Sequence, residues 1–83
     1  MMVIDKRRVA YPKALSAKLG SRILFLCNER GWSRRQLAAQ AKLDQSYVAR
    51  IVRGVTEPGL GTLVLLAAAF DMTPSEFLEG VTR

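Results

Sequence analysis

Residues 33–54, SRRQLAAQAKLDQSYVARIVRG, decide the fold. Ser33 with Gln36 has the spacing of a capping box: the serine hydroxyl accepts from the Gln36 amide, and the Gln36 side chain reaches back to the amide of Ser33. A helix is therefore predicted over Arg34 to Ala41, with Leu37, Ala38 and Ala41 on its apolar side. The two alanines are small enough to let another helix approach closely. Lys42 and Leu43 leave room only for a very short turn before Asp44, which caps a further helix predicted from Gln45 to about Arg53. Val48, Ile51 and Val52 form the buried side of that helix, and Gly54 ends it.

N-terminal to this stretch, Leu19, Ile23, Leu26, Cys27 and Arg30 recur at helical spacing and stop at Gly31, which suits a left-handed C-cap. The start of this first helix is open to two readings. Ser16 can serve as its N-cap, or Pro12 can begin it earlier as a first-turn proline, which places Gly20 unfavourably inside it. Beyond the loop 55–59, Leu60, Leu63, Leu66, Ala67 and Phe70 mark a fourth helix, apolar almost all round and so expected at the centre of the core. Thr73-Pro74-Ser75-Glu76 joins a capping box to a proline at the first helical position, opening a short last helix with Phe77, Leu78 and Val81. No segment reads as a strand. The expectation is an all-α bundle of about five helices, with residues 1–15 as a basic N-terminal arm or extension and 16–83 as the folded domain.

The chain has 83 residues, 49% hydrophobic and 24% charged, which suits one compact domain and is too small for two cores. No stretch approaches the ~18 consecutive apolar residues of a membrane span, and residues 1–13 contain no signal-peptide core; the expected location is the cytoplasm. The single Cys27 cannot form an internal disulfide, and on an apolar helical face it reads as a small buried hydrophobe. The chain lacks histidine, the usual metal ligand and proton shuttle, and has no glycine-rich phosphate loop or paired acids. The expectation is therefore a protein that is not an enzyme, with no cofactor, metal or small-molecule ligand. Charge is more informative. The net charge is +6, and residues 1–53 carry 12 Lys and Arg against Asp5, Glu29 and Asp44. Residues 54–83 carry Arg83 against Glu57, Asp71, Glu76 and Glu79. A polyanion is expected to meet the first two thirds of the fold.

Two short helices joined by a turn of a few residues cross steeply, so when one lies over a DNA backbone the second can enter the major groove. With Val48, Ile51 and Val52 inward, Gln45, Ser46, Ala49 and Arg50 form the stripe that faces base edges. Glutamine can bond adenine at two points, arginine can bond guanine at two points, serine bonds either, and alanine can touch a thymine methyl.

The ordered combination of RGWSRRQLA, LDQSYVARI, RGVTEP and the leucine-rich fourth helix, over Leu19 to Leu78, resembles the Cro/Xre family of phage repressors and bacterial regulators. The resemblance implies a lambda-repressor-like fold and a transcriptional regulator that reads double-stranded DNA with residues 45–53 in the major groove. It implies that Arg34 and Gln45 straddle the groove edge, that Gln45, Ser46 and Arg50 read bases, and that Ser33, Arg34, Arg53 and Thr56 hold phosphates. Arg35 joins them as a backbone candidate, and Tyr47 bridges backbone and groove. The size and the LDQSY segment also resemble the controller proteins of restriction-modification systems.

Two departures from the family's pattern stand out. Lys42 occupies a turn position where glycine is common, so either it accepts a positive φ at a cost of roughly 1 kcal/mol or the turn is remodelled. Cys27 and Val52 stand where some relatives carry a buried ion pair, and the joint replacement by apolar residues is compatible with the fold.

Each functional reading has a structural competitor. Arg34 and Arg35 can simply solubilise a helix, Gln45 and Arg50 can be idle surface residues, and Tyr47 can pack against the turn. Trp32 reads as a core or staple residue ahead of the Ser33 cap. A protein-interaction module or antitoxin on the same fold is the alternative function. Phe77, Leu78 and Val81, on a terminal helix with few neighbours to cover them, are expected to form a homodimer interface that matches a pseudo-palindromic operator. Lys6, Arg7, Arg8 and Lys13 give the N-terminal segment either a phosphate-tracking role or that of a packing tail.

Overall fold

The computed structural model describes residues 13–82, with side chains from Leu15 onward. The readings that fall on Lys6, Arg7 and Arg8 lie outside these described residues, and the one that falls on Lys13 lies outside the described side chains. Among the described residues five helices follow in order: α1 (Lys13–Arg30), α2 (Arg34–Ala41), α3 (Gln45–Val52), α4 (Leu60–Ala69) and α5 (Pro74–Thr82). The α2 and α3 boundaries are those the caps predict.

α1 starts at Lys13, ahead of Ser16, so Ser16 is not a cap; it lies buried inside the helix. Gly20 is inside as well, and the structure supplies the reason. A Cβ built on Gly20 would lie 2.2 Å from the carbonyl oxygen of Val52. The helix tolerates a residue of poor propensity because only glycine lets the α1 and α3 backbones touch there.

The core gathers Leu19, Ile23, Leu26 and Cys27 of α1, Leu37, Ala38 and Ala41 of α2, and Val48, Ile51 and Val52 of α3. Leu66, Ala67 and Phe70 from α4 and its cap, with Phe77 and Val81 of α5, complete it. Cys27 and Val52 are thus both buried in the apolar core, and burial pushes the Cys27 thiol pKa up. An aromatic ladder runs through the centre: Trp32 stacks on Phe70 at 5.7 Å between centroids, and Phe70 on Phe77 at 6.0 Å. Trp32 is therefore a packing residue, half-buried against the core.

Two expectations are corrected. Phe77 and Val81 are buried within the chain, because α5 folds back onto α1 and α4, and so are not left uncovered as expected. Leu78 is half-buried, beside Leu15, Leu19 and Leu63. α4 is not surrounded by protein either. Leu66 and Ala67 face the core, while Leu60, Val64 and Leu65 stand in solvent, Leu60 at 78% exposure. Periodicity identified an apolar helix but not how many of its sides have neighbours.

Four of the helices end in the same way. The residue after α1 is Gly31 at φ 67, that after α3's cap is Gly54 at φ 77, and the corresponding residues behind α2 and α4 are Lys42 at φ 58 and Asp71 at φ 59. At each, the following amide returns to a carbonyl five residues back: Trp32 to Cys27, Leu43 to Ala38, Val55 to Arg50 and Met72 to Ala67. This is the Schellman arrangement, which satisfies helix-end carbonyls otherwise left without partners. Lys42 accepts the left-handed conformation (φ 58, ψ 44) rather than remodelling the turn.

Candidate nucleic-acid interface

The surface that the sequence assigns to DNA is built by two N-caps and one short turn. Ser33 Oγ accepts from the Gln36 amide at 3.1 Å, and the Ser33 amide donates to Gln36 Oε1 at 2.7 Å, so the capping box is complete. It fixes the first turn of α2, where Arg34 and Arg35 stand exposed. At α3 the Asp44 carboxylate accepts from the Tyr47 amide at 3.2 Å and from the Ser46 hydroxyl. The Ser46 and Tyr47 bonds hold the Asp44 carboxyl below its ordinary pKa, so the cap is charged at neutral pH.

α3 carries its hydrophobic residues on one side, and Val48, Ile51 and Val52 are buried against α1 and α2. Its outer side presents Gln45, Ser46 and Arg50 to solvent, with Ala49 half-exposed between them. These four residues of the predicted stripe therefore lie together on one helix face. Around it stand the exposed cations Arg34 and Arg35 of α2, Lys42 in the turn and Arg53 at the α3 C-cap. Thr56 is half-buried in the following loop.

Tyr47 is half-buried, and its hydroxyl lies 3.3 Å from Thr62 Oγ1 on α4. The Arg50 guanidinium carbon sits over the Tyr47 ring, 5.7 Å from its centroid. The sequence reading missed this approach to α4, since nothing local pairs residue 47 with residue 62.

Two arginines counted toward the basic surface have other work. Arg22 donates from Nε to the Phe77 carbonyl and from a terminal nitrogen to the Glu76 carbonyl, both at 3.1 Å, and so clamps α5 to α1. Arg30 donates to the Phe70 carbonyl at 2.6 Å and lies over the Phe70 ring, 5.1 Å from the centroid. Among the described residues, Arg34, Arg35, Lys42, Arg50 and Arg53 place exposed positive charge on α2, on α3 with its C-cap and on the turn between them.

A sequence model of the helix-turn-helix family matches residues 23–77. The chain is 38% identical over 64 residues, 77% of its length, to the HTH-type transcriptional regulator DdrOP3 of Deinococcus deserti. It is 50% identical over 40 residues, 48% of its length, to the HTH-type transcriptional regulator y4dL of Sinorhizobium fredii. These matches span 50% of the Deinococcus protein and 20% of the Sinorhizobium protein. Among solved structures, the restriction-modification controller protein C.AhdI from Aeromonas hydrophila superposes with a TM-score of 0.71 at 35% identity, over 75% of this chain and 94% of that one.

Proposed function

The chain belongs to the helix-turn-helix family of Cro/Xre type, and from that premise we propose that it is a sequence-specific double-stranded DNA-binding regulator of transcription, acting by binding and not by catalysis. One observation supports this most directly: Gln45, Ser46, Ala49 and Arg50 share the outer face of a helix whose inner face is locked in the core. α3 enters the major groove, while Ser33, Arg34, Arg35, Arg53 and Thr56 meet the phosphates on either side. The place of action is the cytoplasm; no helix among the described residues is long and apolar enough to cross a membrane.

Reading and holding have different signatures. Arg50→Ala or Gln45→Ala is expected to cost roughly 1–3 kcal/mol on the best operator and much less on random duplex. Arg34→Ala is expected to weaken both complexes alike and to lower the salt slope by about one for each phosphate that Arg34 neutralises. Competition titrations at several salt concentrations, on a duplex enriched from a random pool and on its scrambled counterpart, measure both. Equal weakening on both duplexes by Arg50→Ala, with base preference intact, would make Arg50 a phosphate clamp. A wild-type chain with no salt-dependent affinity for duplex DNA would favour the protein-interaction alternative.

The proposed assembly is a homodimer on a pseudo-palindromic operator, its two α3 helices about 34 Å apart, one turn of DNA. Since Phe77 and Val81 are buried, the dimer surface is drawn instead on α4, where Leu60, Val64 and Leu65 are exposed. α4 contains no charged residue. Two copies of a chain with net charge +6 repel least through such a face. Val64→Glu is expected to give a monomer by sedimentation at tens of micromolar and to weaken operator binding, with helix content unchanged. A wild-type monomer at that concentration, or an unchanged dimer in the variant, would remove this surface.

A further inference from the structure

We propose that Tyr47 is a positioning residue, anchored by Thr62 of α4, whose ring acts as a platform that holds the Arg50 guanidinium before DNA arrives. The inference rests on the reading of Arg50 as a base-contacting residue and adds a mechanism for its selectivity.

Tyr47 is fixed at three points. Its amide donates to the Asp44 carboxylate at 3.2 Å, its ring is half-buried against the core, and its hydroxyl meets Thr62 Oγ1 at 3.3 Å. The last of these ties α3 to a helix fifteen residues further on, so the ring's orientation does not depend on α3 alone. Arg50 is three residues after Tyr47, the helical spacing that brings two side chains onto one face. Its guanidinium carbon lies over that fixed ring, 5.7 Å from the centroid, within range of a cation–π interaction.

An exposed arginine samples many rotamers, and a bidentate bond to a base selects one narrow set of them. A planar surface beneath the guanidinium reduces what remains to be ordered on binding, which raises affinity for the correct base without adding a bond to DNA. The same geometry changes the part given to Tyr47. Its hydroxyl is turned toward α4 and meets Thr62 there, so its proposed part is to work through Arg50.

Thr62→Val tests the idea, because it removes the hydroxyl, keeps the shape and leaves every proposed DNA-contacting side chain in place. It is expected to lower the preference for the base pair read by Arg50 by about 3- to 10-fold, the range for one side chain that must be ordered on binding. Affinity for scrambled duplex and the melting temperature should hardly change. Tyr47→Leu, which removes the ring, should lower the preference at least as much. In an Arg50→Ala background both substitutions should lose their effect on base preference. In the free protein, Tyr47→Leu should abolish the ring-current shift of the Arg50 side-chain protons, and Thr62→Val should reduce it.

The failures are distinguishable. If Arg50→Ala leaves base preference intact, the reading of Arg50 falls and the platform's role in selectivity falls with it, whatever the ring-current shift shows. If Arg50→Ala abolishes a preference but Thr62→Val and Tyr47→Leu leave it untouched, the reading stands and the platform is overturned. Persistence of their effects in the Arg50→Ala background, or an Arg50 shift indifferent to Tyr47→Leu, overturns it as well.

Discussion

Gly20→Ala should destabilise this protein by about 2 kcal/mol or more, although a glycine inside a helix is ordinarily improved by alanine by about 1 kcal/mol. The added methyl would sit 2.2 Å from the Val52 carbonyl oxygen, 3.0 Å from the Val52 carbonyl carbon and 3.4 Å from the Ile51 carbonyl oxygen. None of these atoms belongs to a side chain that can swing away. Either α1 or the end of α3 must shift, and overpacking of this kind costs roughly 1–3 kcal/mol and occasionally more, outweighing the gain in propensity. Gly61 is the internal control. It lies in α4 with nothing within 4 Å of its built Cβ, so Gly61→Ala should raise stability by about 0.5–1 kcal/mol. Urea midpoints for the two variants should move in opposite directions. A Gly20→Ala midpoint at or above the wild-type value would show that the helices separate at little cost.

The second large effect is expected at Phe70. Its side chain is fully buried between Trp32 and Phe77, and the Arg30 guanidinium covers its ring while donating to its carbonyl. Phe70→Ala removes the central ring and leaves a cavity that its neighbours only partly fill, at a cost of about 3–5 kcal/mol. For a domain of this size that is most of the stability available, so the variant should be substantially unfolded near physiological temperature. Phe70→Leu keeps apolar volume without the stacking, and should cost roughly half as much. Trp32 is the single tryptophan, so its fluorescence reports directly on this ladder during denaturation. A Phe70→Ala protein within about 1 kcal/mol of wild type would mean that the ladder is geometry without energetic weight.

What was legible in the sequence was local. The Ser33–Gln36 and Thr73–Glu76 boxes are signals within four residues, and the structure forms both with the predicted partners; Asp44 caps α3 as expected, through the Tyr47 amide. α2 and α3 could be bounded, and the stripe Gln45, Ser46, Ala49, Arg50 drawn, because the inward side of a helix fixes its outward side. What was not legible depends on distant partners. Arg22 reaches a carbonyl 55 residues away, Arg30 one 40 residues away, and Tyr47 a hydroxyl 15 residues away. Gly20 reads as a defect until the approach of Val52 is seen. Phe77 and Val81 read as uncovered because a terminal helix has few neighbours in sequence, whereas α5 finds α1 in space. Asp71 was not read as a helix end, although aspartate enters the left-handed region more readily than most residues.

The four left-handed helix ends bear on how the chain reaches this fold. Each corner is defined by hydrogen bonds within six residues, and three of the residues that follow, Trp32, Leu43 and Met72, pack against the core. The direction in which each helix leaves the last is thus biased by its own corner, ahead of any long-range packing. Closing such short loops carries little entropic penalty. The unfolded chain therefore searches among arrangements of a few half-made corners and not among free coils. The local preferences and the final packing ask for the same turns, which is the condition for a smooth descent to one native state.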